Sequence, residues 1–161
     1  MRLTPRLSLT VLGLACAAAV GAALFAQYHF GMEPCPWCIL QRMLFIALAV
    51  LCLVGAALPG AVLRRGLSAL TLPLAGFGMG AALWQHFVAA KSSSCALTLA
   101  DKVITFFQVD TRWPDVFEVR ANCADAAGNI LGVPFEFWSL ALFAVCGIGL
   151  LYSLTTPDRR A

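Results

Sequence analysis

The chain has 161 residues, of which 61% are hydrophobic and only 12% are charged, and its formal net charge is +3. A soluble domain averages about 45–50% apolar and about 25% charged residues, so this composition excludes an ordinary soluble enzyme and predicts a membrane protein. The small positive charge gives little reason to expect a nucleic-acid partner, and we expect none.

Four apolar stretches are long enough to cross a bilayer, whose hydrocarbon core of about 30 Å needs about 20 helical residues. They cover residues 7–26, 39–58, 67–88 and 135–154. The first could also be a signal peptide, but it is longer than the apolar core of such a peptide, which is about 7–15 residues. We therefore predict an all-α membrane protein, in which residues 1–161 form a single bundle of four transmembrane helices.

Basic side chains predict the orientation of this bundle. Arginine pairs precede the first stretch, separate the second from the third and follow the fourth, at Arg2 and Arg6, Arg64 and Arg65, and Arg159 and Arg160. All three places are on one side if the helices alternate, and basic residues near helix ends stay cytoplasmic. Both termini are therefore expected inside a bacterial inner membrane. A short first loop (about residues 28–38) and a long second loop (about residues 89–132) would then face the oxidising periplasm.

The long second loop contains a short amphipathic pattern. Its apolar members are Leu99, Val103, Phe106 and Phe107, and the polar ones are Asp101, Lys102, Thr105 and Gln108. This pattern predicts a short helix that lies in the membrane surface; the alternative is a loop packed on the helix ends. Either arrangement brings this loop towards the first one.

Small residues recur at helical spacing in two of the apolar stretches. They are Gly13, Ala17 and Gly21 in the first, and Gly76 and Gly80 in the third. Small residues let helix backbones approach closely in lipid, so these faces are expected to pack against other helices.

The chain has seven cysteines, and they divide by position. Cys16, Cys52 and Cys146 lie inside predicted helices, where a free cysteine is a common small apolar residue. The candidates for chemistry lie in the two outer loops, at Cys35, Cys38, Cys95 and Cys123.

The first loop carries a C-x-x-C motif, Cys35-Pro36-Trp37-Cys38. Thiol–disulfide exchange needs a thiolate that attacks a disulfide, and a second nearby thiol resolves the mixed disulfide. Cys38 is predicted just before the second helix, and a helix N-terminus favours a thiolate. The motif also occurs in zinc sites and in structural disulfides, so by itself it leaves these alternatives open.

Three polar residues near the motif could serve an electron acceptor. Arg42 lies one helical turn after Cys38 on the same face, and an intramembrane ionisable residue is a functional hypothesis by default. It could stabilise a thiolate or an anionic acceptor, or it could only extend to the lipid headgroups. Gln41 could add a hydrogen bond to a carbonyl. His86, near the outer end of the third helix, could add another, although such a histidine is more often structural.

Cys95 and Cys123 stand far apart in the second loop. Their spacing does not indicate zinc, and they could form a loop-closing disulfide that is purely structural. Combined with the first pair they could instead form a relay, in which a periplasmic thiol protein reduces Cys95–Cys123 and that pair reduces Cys35–Cys38. Four cysteines allow three pairings, so the resting pattern stays open.

The first motif resembles the signature of a known family. The run from Glu33 to Arg42, Glu-Pro-Cys-Pro-Trp-Cys-Ile-Leu-Gln-Arg, is similar to the first-loop motif of the disulfide bond formation protein B (DsbB) family. The four-helix layout, the later cysteine pair and the stretch from Gly128 to Pro134 also resemble that family.

The resemblance implies a membrane oxidoreductase that reoxidises a periplasmic DsbA-like thiol oxidase and passes the electrons to membrane quinone, ubiquinone or menaquinone. It implies that Cys95 forms the mixed disulfide with this partner, that Cys123 is its pair and that Cys35 exchanges with them. Cys38 would face the quinone, and Arg42 would lie beside the quinone ring. His86 matches a family position near the quinone. No metal is expected.

Three alternatives remain at this point. A quinone-coupled protein of the vitamin K epoxide reductase type is the nearest, although its motif usually lies late in the chain. The second is a membrane protein with a four-cysteine zinc site. The third is a structural subunit with two static disulfides, which would not respond to quinone.

Overall fold

The computed structural model describes residues 4–91, 98–126 and 128–156. Four long helices dominate it: α1 (Pro5–Phe30), α2 (Pro36–Ala57), α3 (Ala61–Phe87) and, last in the chain, α7 (Phe135–Thr155). All four are long and apolar enough to cross a membrane. The prediction of a four-helix membrane bundle is confirmed.

The segment between α3 and α7 is built from short elements. A 3-10 turn (Ala89–Lys91) is followed by α4 (Leu99–Phe107), α5 (Val109–Arg112) and α6 (Pro114–Phe117). A small antiparallel hairpin then pairs β1 (Asn129–Ile130) with β2 (Val133–Pro134) and leads into α7.

The long helices form a ring in the order α1, α2, α3, α7, and each packs on two neighbours. The core between them includes a stacked ring pair, Phe45 on α2 and Phe143 on α7, with centroids 4.1 Å apart. Gly78 on α3 allows this packing, because a Cβ at that position would collide with the Phe143 ring. The smallest of the four helix interfaces is that between α1 and α7.

The small-residue prediction is correct at one glycine and wrong at three. A Cβ on Gly13 would lie 2.7 Å from Leu53, so α1 and α2 do approach closely there. At Gly21, Gly76 and Gly80 an added Cβ would have no described neighbour within 4 Å. The α3 face that packs inward carries Gly78 instead.

Two of the long helices extend well beyond their apolar stretches. The first continues to Phe30 and ends at Gly31, whose φ of 64° is the left-handed conformation that glycine adopts readily. The third begins at Ala61 and includes Arg64 and Arg65, which the apolar pattern places between the second and third helices. Arg65 donates a hydrogen bond to the carbonyl of Thr156 at 3.2 Å, which satisfies a backbone acceptor at the end of α7.

The short helix α4 exists at the predicted place, and its N-terminus has a capping box between Thr98 and Asp101. It has two apolar faces. Ala100 and Ile104 are buried, and α4 packs on α2. A second face, which contains Leu99, Phe106 and Phe107, is exposed.

Candidate functional site

The N-terminus of α2 organises the site. Pro36 is the first helical residue, where its missing N–H costs nothing, and Cys35 is the N-cap. The Cys35 sulfur accepts a hydrogen bond from the backbone N–H of Cys38 at 3.3 Å. The prediction that Cys38 precedes the helix is therefore wrong, since it lies in the first turn.

The two cysteines of the motif face each other. Their sulfur atoms are 2.8 Å apart, and a disulfide bond is about 2.05 Å long. Cys35 is fully buried and Cys38 is half-buried. A small movement can therefore close the pair, and Cys38 is the more accessible of the two.

Four contacts tie the second loop to the first. The backbone N–H groups of Arg120 and Ala121 donate to the carbonyl of Pro34, at 3.0 and 3.3 Å. The Tyr28 hydroxyl at the end of α1 donates to the carbonyl of Asp115 at 2.6 Å, and the Arg120 guanidinium lies over the Tyr28 ring. These contacts position the segment that carries the next cysteine.

Cys123 is thereby placed against the motif. Its sulfur is hydrogen-bonded to Cys35 and to the backbone N–H of Trp37. In the first turn of α2, the backbone N–H of Trp37 therefore faces the Cys123 sulfur and that of Cys38 faces the Cys35 sulfur. Helix N-termini stabilise negative charge, so this arrangement favours a thiolate at the junction of the two loops.

The pKa values of Cys123 and Cys35 are shifted in opposite directions. The hydrogen bond from Cys35, aided by the Trp37 N–H, lowers the pKa of Cys123 below its ordinary value. The hydrogen bonds to Cys123 and Cys38, together with burial, hold the pKa of Cys35 well above its ordinary value. Of these two, Cys123 carries the thiolate first as the pH rises. Cys95 lies outside the described residues.

A cavity of about 410 Å³ opens beside Cys38. This is within the range of sites that hold a small organic molecule, about 300–1,000 Å³. Its walls are mostly apolar and come from α1, α2, α7 and the β1–β2 hairpin. Its polar wall on α2 consists of Cys38, Gln41 and Arg42.

Arg42 is buried and connects three parts of the molecule. It donates to the side-chain oxygen of Gln27 on α1 at 3.0 Å and to the carbonyl of Val116 in α6. It is also close enough to Cys38 to act electrostatically on its sulfur. A guanidinium that only extended to lipid headgroups would not be buried in this way, so its placement fits the functional alternative better.

Gln41 is joined to the motif through a residue that no sequence motif indicates, Gln85. Its side-chain nitrogen donates to the side-chain oxygen of Gln85 on α3 at 2.6 Å. Gln85 in turn donates to the Cys38 sulfur at 3.3 Å. A glutamine within an apolar helix is the only signal in the sequence for this role, and Gln27 on α1 gives the same signal.

His86 is placed differently from the other candidates. Its Nδ1 is 2.6 Å from a carboxylate oxygen of Glu136, and its ring packs on Phe137. Among the described residues, the lining of the cavity includes Cys38, Gln41 and Arg42 but not His86. A contact from His86 to an electron acceptor stays a prediction.

Comparison with known proteins gives matches over most of the chain. The family model for "Disulfide bond formation protein DsbB" matches residues 5–153, which include all four loop cysteines. The chain belongs to the DsbB family.

Individual relatives of the DsbB family extend over most of the chain. It is 32% identical over 144 residues to disulfide bond formation protein B 1 of Pseudomonas savastanoi pv. phaseolicola (87% of this chain, 83% of the relative). It is 33% identical over 161 residues to disulfide bond formation protein B of Verminephrobacter eiseniae (98% and 90%). It is 35% identical over 151 residues to that of Xanthomonas campestris pv. campestris (87% and 84%).

Membership of the DsbB family and the four apolar helices together establish a multi-pass membrane protein of disulfide bond formation. The family name implies a disulfide-forming oxidoreductase.

Proposed function

We propose that this protein reoxidises a periplasmic DsbA-like dithiol protein and passes the electrons through two cysteine pairs to membrane quinone. It would lie in the bacterial inner membrane, with both termini cytoplasmic and its four loop cysteines in the periplasm. The observation that carries the proposal is the placement of Cys38 in the wall of an apolar cavity, beside Arg42 and Gln41.

A quinone head group fits this cavity by chemistry. It is flat and largely apolar and has carbonyl oxygens that accept hydrogen bonds, and the polar wall contains a guanidinium and a carboxamide. The wall on α1 is formed by small side chains, which leave room for a bulky molecule beside the smallest helix interface, that between α1 and α7. They are Ala19, Ala22, Ala23 and Ala26. When bound, quinone supplies an acceptor for two electrons and two protons.

The cysteines would act in sequence. The partner's thiolate attacks the Cys95–Cys123 disulfide, a mixed disulfide forms, and the partner's second thiol releases it as its own disulfide bond forms. The two electrons, now on Cys95 and Cys123, reduce the Cys35–Cys38 disulfide by the same exchange. The contact between Cys123 and Cys35 supports this transfer between the pairs, because exchange needs the attacking and attacked sulfurs to meet.

Arg42 would favour the anionic species on both sides of the last transfer. A fixed cation beside developing negative charge lowers the barrier, particularly where water is excluded. Its hydrogen bonds to Gln27 and Val116 hold the guanidinium in place before the reaction begins. Cys38 would give up its proton and its share of the electron pair as the Cys35–Cys38 disulfide is regenerated.

The exposed apolar face of α4 would lie in the periplasmic surface of the inner membrane. Leu99, Phe106 and Phe107 are exposed on a helix that also packs on α2, next to the motif. An amphipathic helix of this kind lies at the headgroup boundary. That position would keep the second loop, and Cys123 with it, close to the first.

The test uses purified full-length protein, a chemically reduced DsbA-like dithiol protein and a soluble quinone analogue whose absorbance falls on reduction. We expect catalytic loss of quinone absorbance with wild type and none when any of the four loop cysteines is replaced by serine. A static-disulfide protein would leave the thiol state unchanged when quinone is added. A four-cysteine zinc site would hold about one metal ion per chain on elemental analysis.

A further inference from the structure

Gln85 occupies a position between two groups of the cavity wall. It lies on α3 and is 5% exposed. Its side-chain nitrogen is 3.3 Å from the Cys38 sulfur, and its oxygen is 2.6 Å from the nitrogen of Gln41. Both ends of its carboxamide are therefore occupied by groups from α2.

The direction of these hydrogen bonds follows from the chemistry of sulfur. A thiolate can only accept, so the carboxamide of Gln85 must turn its NH2 group towards Cys38. Its oxygen then faces Gln41, which must donate. The result is a directed chain, Gln41 to Gln85 to Cys38, in which each donor points towards the sulfur.

We propose that Gln85 is a positioning residue that favours the thiolate of Cys38 and couples it to Gln41 in the cavity wall. A donor to the charged form of a group stabilises that form, and the gain is larger where water is excluded. Burial by itself would disfavour the thiolate, and Gln85 offsets part of that cost. The catalytic consequence rests on the proposed function, whereas the effect on thiol ionisation does not.

The other groups that act on Cys38 come from the neighbouring elements and are named by contact. Cys35 is its partner in the motif, and Arg42 lies one turn further along α2. Cys123 approaches from the second loop. In a background with Cys35, Cys95 and Cys123 replaced by serine, Arg42 is the charged neighbour that every variant retains.

The experiment measures the rate at which a small alkylating reagent labels Cys38 in this background, as a function of pH, by mass spectrometry of the Cys38 peptide. Gln85→Met removes both amide ends and keeps an unbranched side chain of similar length. Thr71→Val is the matched control, because Thr71 is buried on the same helix and, within the described residues, its hydroxyl donates to the helix backbone at the carbonyl of Leu67.

We expect Gln85→Met to raise the midpoint of the labelling curve by about one pH unit, a roughly tenfold loss of thiolate below the midpoint. A thiolate of higher pKa is intrinsically more nucleophilic, so the rate at high pH should rise about threefold. The wild-type and variant curves should therefore cross. Thr71→Val should reproduce the wild-type curve.

A second variant gives the reverse check. Gln85→Glu keeps the shape and places a carboxylate beside the sulfur, so its midpoint should be higher than that of Gln85→Met. The proposal is overturned if Gln85→Met leaves the curve unchanged, if Thr71→Val shifts it equally, or if Gln85→Glu lies at or below Gln85→Met.

Quinone reduction by the protein with all four loop cysteines, measured in parallel, separates the two claims. Its absence in wild type would contradict the proposed function and leave the labelling result standing. The labelling curves could cross while Gln85→Met keeps normal quinone turnover. That result would limit the effect of Gln85 to ionisation of the Cys38 thiol and would overturn its role in positioning the reaction.

Discussion

Two groups of cysteines lie in this bundle, and close sulfur contact occurs in both. In the core group, the sulfurs of Cys16 on α1 and Cys146 on α7 are 3.4 Å apart, and both residues are fully buried. The outer group consists of the loop cysteines, of which the structure describes Cys35, Cys38 and Cys123. In it, the sulfurs of Cys35 and Cys38, the outer pair, are 2.8 Å apart. Proximity of thiols is therefore not what distinguishes a candidate redox site.

The difference lies in what surrounds the sulfur atoms. Cys16 and Cys146 belong to the buried apolar cluster of the bundle, with Leu12, Leu48 and Leu150; Cys35 belongs to it too, but its pair has polar neighbours as well. The outer pair has backbone N–H groups, Gln85, Arg42 and a cavity wall around it. Burial without donors disfavours a thiolate, whereas a helix N-terminus favours one. Donors and access, rather than distance, therefore distinguish the outer group as the candidate redox site.

The largest effect is expected from Cys38→Ser. Without the thiol that lines the cavity, electrons cannot leave the outer pair, so quinone reduction by a reduced DsbA-like partner should fall to background. Cys146→Ala is the matched control from the core group and should retain turnover within about twofold, although it should lower the melting temperature because it leaves a small void. Equal loss of activity in both variants would remove the distinction between the two groups.

Arg42→Met should have the second-largest effect on quinone reduction. It removes the cation next to Cys38 and leaves the Gln27 oxygen without this donor. A hydrogen bond that involves a charged group contributes about 1.5–3 kcal/mol, so we expect kcat/KM for quinone to fall by roughly 10- to 100-fold. Arg42→Lys should recover part of the loss. Unchanged kcat/KM in Arg42→Met would mean that the guanidinium serves only to hold α1 and α6.

Ala23→Trp tests the access of a lipid-soluble acceptor to the outer group. Ala23 lies in the cavity wall on α1, and a bulky ring there should raise KM for quinone by about tenfold, equivalent to about 1.4 kcal/mol of lost binding. Ala17→Trp places the same ring at an exposed position of α1 that is not part of the cavity lining and that helical spacing puts on the opposite side of the helix, so it should leave KM unchanged. Equal KM values for the two variants would indicate that the acceptor reacts elsewhere.

The smallest effect concerns pH within the outer group. The pKa of Cys123 is lowered mainly by its hydrogen bond from Cys35, so its thiolate persists to lower pH than an ordinary thiol. The pKa of Cys35 is raised, mainly by its hydrogen bond to Cys123, so its thiolate appears only at higher pH. In fully reduced protein, alkylation at neutral pH should label Cys123 several-fold faster than Cys35, and the preference should shrink as the pH rises. Equal labelling at neutral pH would contradict this assignment.

Much of the fold follows from hydropathy alone, because a spanning helix needs a long apolar stretch and this chain has four. The helix ends do not follow from it. Arg64 and Arg65 lie inside α3 although they interrupt the apolar pattern, since a helix continues as long as its backbone hydrogen bonds are formed. The packing face of α3 was also missed, because small residues at spacing four mark several faces and only Gly78 meets a partner ring.

The candidate site was predicted in part. The motif, Arg42 and Gln41 are close in sequence, so helical spacing places them together in the cavity wall. The meeting of Cys123 with Cys35 depends on loop contacts such as that of Arg120 with Pro34, which no local pattern indicates. Gln27 and Gln85 act from other helices, and their partners are set by tertiary packing.

The most direct test of the central claim isolates the outer pair. The full-length protein with Cys95→Ser and Cys123→Ser is reduced chemically, freed of reductant and mixed with a soluble quinone analogue. We expect a single turnover, in which about one quinone is reduced per chain and Cys35 and Cys38 become resistant to alkylation as their disulfide forms. Persistent quinone absorbance, with both thiols still open to alkylation, would contradict it.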